Sequence, residues 1–141
     1  MDSIVTAQDY LAKYGIKPSV QRIAIMEYLM EHRTHPSTDE IHSVLIKWMP
    51  TLSKTTVYNT LKLFTEQGAL TALGIDDRNI RYDIDVSDHA HFICLGCGKV
   101  YDIPVDHLDK LIVRGGEELT ITETHLYYKG YCKLCDNKRL K

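Results

Sequence analysis

Ser53-Lys54-Thr55-Thr56-Val57-Tyr58-Asn59-Thr60-Leu61-Lys62-Leu63-Phe64-Thr65-Glu66-Gln67-Gly68 is the stretch that decides the fold. Ser53 can cap a helix running to about Gln67, because its hydroxyl satisfies an open backbone amide, and Gly68 can end it. Val57, Leu61 and Phe64 fall on one side of that helix. Thr55, Tyr58, Asn59 and Lys62, spaced i, i+3, i+4, i+7, fall on the other. From Thr51 to Thr65 there are two lysines and no acid. Hydroxyl, amide, phenol and ammonium groups on one face suit major-groove base edges and phosphates. An ordinary surface helix has the same amphipathic pattern, so its neighbours in the chain must discriminate.

Upstream, His35-Pro36-Ser37-Thr38-Asp39-Glu40 holds the S-x-x-E spacing of a capping box, which opens a helix that Trp48-Met49-Pro50 closes. Before it, Ile23, Met26 and Met30 recur on one face of another helix and belong to a core. A first helix is expected from about Val5 to Tyr14, ending at Gly15. Downstream, Leu70 to Leu73 and Ile80 to Ile84 form two short strands around the turn-rich Gly74-Ile75-Asp76-Asp77-Arg78-Asn79. Helix, turn, helix and then a β-hairpin is the order of a winged helix-turn-helix, with Ser53 to Gln67 in the recognition position.

Beyond the hairpin the pattern changes. From Phe92 the chain reads as strand, cysteine turn and strand to Ile103, then a helix near 105–113, a break at Gly115-Gly116, and a strand from about Leu119 to Tyr131. The fold class is therefore α+β, in two lobes joined near Asp85 to His89, with domains expected over 1–84 and 85–141.

Composition bounds the function. Of 141 residues, 44% are hydrophobic and 26% charged, which is ordinary for a globular chain. The first residues lack the basic patch and apolar core of a secretion signal, and no apolar run approaches the roughly 20 residues of a membrane span. A cytoplasmic protein with reduced thiols is expected, in which four cysteines are metal ligands more often than disulfides. Net charge is −2, with nine basic and nine acidic residues up to Arg81 and eight and ten after it. Neither part is a polycation, so DNA affinity has to come from local placement and from bound metal.

Cys94-Leu95-Gly96-Cys97-Gly98 and Cys132-Lys133-Leu134-Cys135 are two C-x2-C pairs with 34 residues between them. Two intervening residues let a tight turn aim both sulfurs at one ion, and Gly96 and Gly98 relieve strain in it. Cys94, Cys97, Cys132 and Cys135 thus form a closed tetrahedral Zn²⁺ site, structural because no position stays open. Redox dithiols or disulfides are the alternative. A deaminase-type catalytic zinc lacks its H-x-E and P-C-x-x-C elements here.

His89 and His91 alternate onto one face at the presumed hinge, flanked by Asp83 and Asp102. Singly, each reads as a solvated surface group; together they converge on the hinge. With Val20-Gln21-Arg22, His35-Pro36, Thr56-Val57-Tyr58, Arg81-Tyr82-Asp83, His89-Ala90-His91-Phe92-Ile93-Cys94, Cys97-Gly98 and the last knuckle, the chain resembles the ferric uptake regulator family over nearly its full length. Asp83 and Asp102, in place of glutamates, make it look most like the peroxide-sensing branch. The resemblance implies a DNA-binding N-terminal domain and a C-terminal domain for dimerisation and metal binding. It also implies a regulatory Fe²⁺ or Mn²⁺ held by His35, Asp83, His89, His91 and Asp102. A further family site needs residues where this chain has Asp88 and Ala90, and its later histidine is matched only by His125, one residue closer to Cys132 than the pattern expects.

The resemblance further implies a homodimeric repressor, not an enzyme, that binds double-stranded operator DNA. It would sense peroxide through oxidation of a ligand imidazole, His35 or His89. Arg22, Lys54, Thr55, Tyr58 and Asn59 are the candidate DNA contacts, Tyr58 through its motif. Iron-availability repression is the near alternative, and zinc or nickel regulation a more distant one, since these ligand types admit several ions. A mononuclear iron enzyme and a zinc-dependent interaction module are the readings from other classes.

Overall fold

The computed structural model of the chain describes residues 5–87, 89–106 and 114–140. The fold divides into two units between Val86 and Ser87. In the first, four helices precede a hairpin: α1 Ala7–Lys13, α2 Val20–Glu31, α3 Thr38–Leu45, α4 Lys54–Glu66, then β1 Thr71–Leu73 and β2 Arg81–Asp83. Each helix starts on a hydroxyl residue that accepts from an amide three residues on: Thr6 from Asp9, Ser19 from Arg22, Ser37 from Glu40 and Ser53 from Thr56. Caps of this kind contribute about 0.5–2 kcal/mol each, which is why the expected starts at Ser37 and Ser53 are met. The first helix begins two residues later than Val5 because Thr6 takes the capping position. Only half of the expected capping box forms as written, since the Glu40 carboxylate faces Arg81 at 3.6 Å.

Val57, Leu61 and Phe64 are the buried side of α4, as the spacing required. They meet Leu11, Ile25, Met26 and Ile41 in one core, with Ile23 and Met30 packed at its margin. The hairpin is antiparallel, in the register Thr71↔Asp83, Ala72↔Tyr82 and Leu73↔Arg81, and Tyr82 enters the same core. The order α2, α3, α4, hairpin is the winged helix-turn-helix arrangement.

The second unit is a three-stranded sheet followed by a short helix: β3 Ala90–Cys94, β4 Val100–Ile103, β5 Tyr127–Gly130 and α5 Lys133–Arg139. The strand order is β4-β3-β5; β3 pairs antiparallel with β4 (His91↔Asp102) and parallel with β5 (His91↔Tyr127). The expected strand from Leu119 shrinks to its last residues. β3 starts only at Ala90, so a parallel partner in this register has nothing to pair with before Leu126, whose carbonyl accepts from the His91 amide at 3.0 Å, and Leu119 and Ile121 stay exposed. The helix expected near 105–113 lies, from 107 onward, outside the described residues. α5 was not anticipated; the last knuckle forms its start, and Arg139 closes on Asp136 at 2.8 Å one turn later. Among the described residues, no helix is long and apolar enough to cross a membrane.

Truncating a side chain at the centre of the first core should cost far more than one on the opposite face of the same helix. Leu61→Ala is expected to lose about 2–5 kcal/mol in urea unfolding, and Lys62→Ala to stay within about 0.5 kcal/mol of wild type.

Candidate metal centres and nucleic-acid face

Cys94 ends β3, Cys97 lies in the turn to β4, Cys132 precedes α5 and Cys135 sits in its first turn. Their sulfurs lie within 4.8 Å of one another and none is in a disulfide. Gly96 makes this approach possible: a Cβ there would meet the Cβ and Sγ of Cys135 at 2.8 Å. The amides of Cys132 and Cys97 donate to Cys94 Sγ at 3.3 and 3.5 Å. These bonds, that of Cys132 foremost, bring the Cys94 thiol down to about 6. Hydrogen bonding with Cys132 and Cys94 pushes Cys135 up to about 12. A tetrahedral divalent cation is the group whose charge deprotonates such a set together. The donors fit that ion.

In the first unit, His35 and Asp83 are both buried, with Nε2 3.4 Å from Oδ2. The other oxygen of Asp83 accepts from the Asp85 amide at 2.9 Å, which fixes the carboxylate plane. His35 has φ +57, although it is not glycine and precedes a proline, which disfavours helical backbone. A backbone of this kind costs on the order of 1–3 kcal/mol and is kept where the surroundings impose it. In the second unit, the Nε2 atoms of His89 and His91 approach one oxygen of Asp102, at 3.1 and 3.3 Å. The pairing His91↔Asp102 across β3 and β4 explains half of this, and period-2 alternation the rest. His89 Nδ1 lies 2.7 Å from the Ser87 carbonyl, which can only accept and so holds the ring in place through that nitrogen.

The two groupings are imidazole and carboxylate donors, all buried or half-buried except the exposed Asp102, the set for a divalent ion of intermediate hardness such as Fe²⁺ or Mn²⁺. Among the described residues, the first of these groupings has two donor side chains and the second three. His125 lies apart, paired with exposed Glu123 at 3.1 Å, and joins no metal-competent group among the described residues.

Arg81, quoted above only as part of a motif, has the richest contacts of any cation in the first unit. Its Nε donates to Asp76 Oδ2 at 3.0 Å and its NH1 to the His35 carbonyl at 3.2 Å. Asp76 also accepts from the Arg78 amide at 2.9 Å. Burial would raise the Asp76 carboxyl, but these hydrogen bonds and the guanidinium charge outweigh it and hold it below the usual range. No periodicity signals this role, because it depends on a loop 46 residues away in sequence.

On α4, Thr55, Tyr58, Asn59 and Lys62 are exposed. Lys54 pairs with Asp39 at 3.1 Å, both well exposed and so weakly coupled. Arg22 donates to the Lys17 carbonyl at 2.8 Å. With Lys17, Gln21, Thr56 and Asn59 it lines a cleft of about 460 Å³. Of the five candidate contacts, the fold therefore brings Arg22 and Asn59 to one cleft and leaves Thr55 and Tyr58 exposed beside it on α4. Lys17 and Gln21, which also line this cleft, are not among the candidate contacts because they lie outside α4.

Residues 13–128 match the ferric uptake regulator family. The chain is 33% identical over 130 residues to the peroxide-responsive repressor of Staphylococcus aureus, covering 91% of this chain and 88% of that protein. The ferric uptake regulator of Helicobacter pylori, described as having three functional metal binding sites, has the same fold, with a TM-score of 0.73 at 23% identity over 96% of this chain and 97% of that one. A Streptococcus pyogenes protein described by its peroxide sensing and gene regulation is 30% identical, with a TM-score of 0.53 and 95% of each chain covered. The chain belongs to the ferric uptake regulator family and is a metal-dependent regulator, not an enzyme.

Proposed function

We propose that this protein is a cytoplasmic, homodimeric repressor that binds double-stranded operator DNA when loaded with metal and releases it on exposure to hydrogen peroxide. The observation that carries the reading is the split imidazole and carboxylate set: His35 with Asp83 in the first unit, and His89 and His91 with Asp102 in the second. Each is too small to saturate a six-coordinate ion, so one Fe²⁺ or Mn²⁺ drawing on all five residues biases the DNA-binding unit toward one arrangement. Residues 1–84 act as the DNA-binding domain and 85–141 as the dimerisation and metal-binding domain. Cys94, Cys97, Cys132 and Cys135 hold a structural Zn²⁺.

His35, Asp83, His89, His91 and Asp102 would hold the ion, and Fe²⁺ would supply the redox chemistry that activates peroxide. His35 or His89 would be the imidazole oxidised: in the net change its ring C–H would take one oxygen of hydrogen peroxide while the other leaves as water, after which the ligand set would fail and DNA would be released. The peroxide-responsive relatives, at about a third identity, support this branch over iron-availability repression. On the DNA side, Tyr58, Thr55, Asn59 and Lys54 present α4 to the groove, and Arg22 engages the backbone.

Protein loaded anaerobically with Fe²⁺ and treated with low peroxide is expected to gain one oxygen on the His35 or His89 peptide and lose operator binding, while the Mn²⁺ form keeps both unmodified histidines and DNA. Unmodified histidines in both samples, with binding that tracks free metal, would make it an iron-availability repressor. Cys97→Ser should lose zinc by elemental analysis and unfold the second unit, since structural zinc contributes on the order of 10 kcal/mol. Asn59→Ala should weaken binding to an operator fragment by about 1–3 kcal/mol and relax its sequence preference.

A further inference from the structure

The left-handed backbone of His35 has no local cause. Histidine gains nothing from φ +57, and the proline that follows favours extended backbone. The restraint must come from elsewhere in the fold. Hydrogen bonds hold the two successive peptides that follow His35: Arg81 NH1 donates to the His35 carbonyl at 3.2 Å, and Tyr82 N to the Pro36 carbonyl at 3.0 Å. Ser37 pairs with Arg81 as an isolated antiparallel bridge in the same run.

Arg81 can do this because its guanidinium is a rigid fork of five donors. Nε is engaged by Asp76 Oδ2 at 3.0 Å, which leaves NH1 aimed at the carbonyl and at Glu40 Oε1, 3.6 Å away. The Arg81 and Asp76 side chains are only 15% and 14% exposed, so solvent does little to screen the pair. A fixed carbonyl fixes the ψ of His35, and with it the direction in which Cβ leaves the chain. The same strand carries Asp83, on the face that Arg81 shares by period-2 alternation. One short strand thus presents a ligand and sets the backbone of the residue that meets it.

We propose that Arg81, anchored by Asp76, is the positioning residue for His35: it holds the His35 carbonyl and so keeps the imidazole in the orientation that ligates the regulatory metal. The inference rests on the reading of His35 as a ligand. Asp76 ties the same device to the turn of the wing, through its bond to the Arg78 amide.

The test uses full-length, zinc-loaded protein and measures Mn²⁺ affinity from the electron paramagnetic resonance signal of the free ion, with thermal unfolding of the Mn²⁺-free protein alongside. Arg81→Gln and Asp76→Asn are each expected to weaken Mn²⁺ binding by about tenfold or more, as loss of an outer-sphere support does. Arg81→Lys, which keeps one donor and the charge, should fall between. The deciding arm is the His35→Ala background, where Arg81→Gln should have no further effect on Mn²⁺. An equal loss in that background, or Mn²⁺ affinity unchanged in Arg81→Gln and Asp76→Asn, overturns the proposal. If Arg81→Gln does not fold, Asp76→Asn in the two backgrounds decides by the same criterion. Unchanged affinity in His35→Ala itself overturns the ligand reading, and the positioning role with it.

Discussion

The amide of Tyr82 donates to the Pro36 carbonyl at 3.0 Å, and that bond commits the hairpin to the loop before α3. Around it, β2 meets several demands with three residues. Tyr82 fills the core from below the recognition helix, Asp83 offers a carboxylate, and Arg81 reaches back to His35. The capping of α3 at Ser37 and the conformation of His35 lie on the same loop, so helix start, hairpin and the proposed metal ligand share one restraint. In a packed unit such a shared element has few independent adjustments, so a shift of the His35 loop bears directly on the hairpin.

The second unit depends instead on its sulfurs. Its strands are short and α5 has no buried residue, so little apolar area holds the last helix in place. The thiol tetrad supplies what the core lacks. Gly96 shows how tightly the two knuckles meet, since any larger residue would strike Cys135.

Much of this was legible in the sequence because it is local. The caps at Ser37 and Ser53, the buried face of α4, the hairpin and the two C-x2-C turns all follow from spacings of two to four residues. What escaped depends on distant partners. The strand expected from Leu119 is cut to four residues by the length of β3, which local alternation cannot reveal. The backbone of His35 runs against the proline that follows it, and the partners that hold its loop, Arg81 and Tyr82, come from a hairpin far along the chain. The histidine and aspartate residues could be named as a set from sequence. That His89 and His91 share one oxygen of Asp102 could not.

The parallel pairing of His91 with Tyr127 has a kinetic side. A parallel strand cannot be joined by a tight turn, so β5 reaches β3 only after a long excursion of the chain, and the entropy of closing that loop must be met before any ladder bond rewards it. Cys94 adjoins the end of β3 and Cys132 follows β5, so the tetrad closes the same loop as the sheet. An ion captured by both knuckles would convert a search between distant segments into a local docking event, making cation supply a determinant of how fast this unit assembles as well as of how firmly it holds.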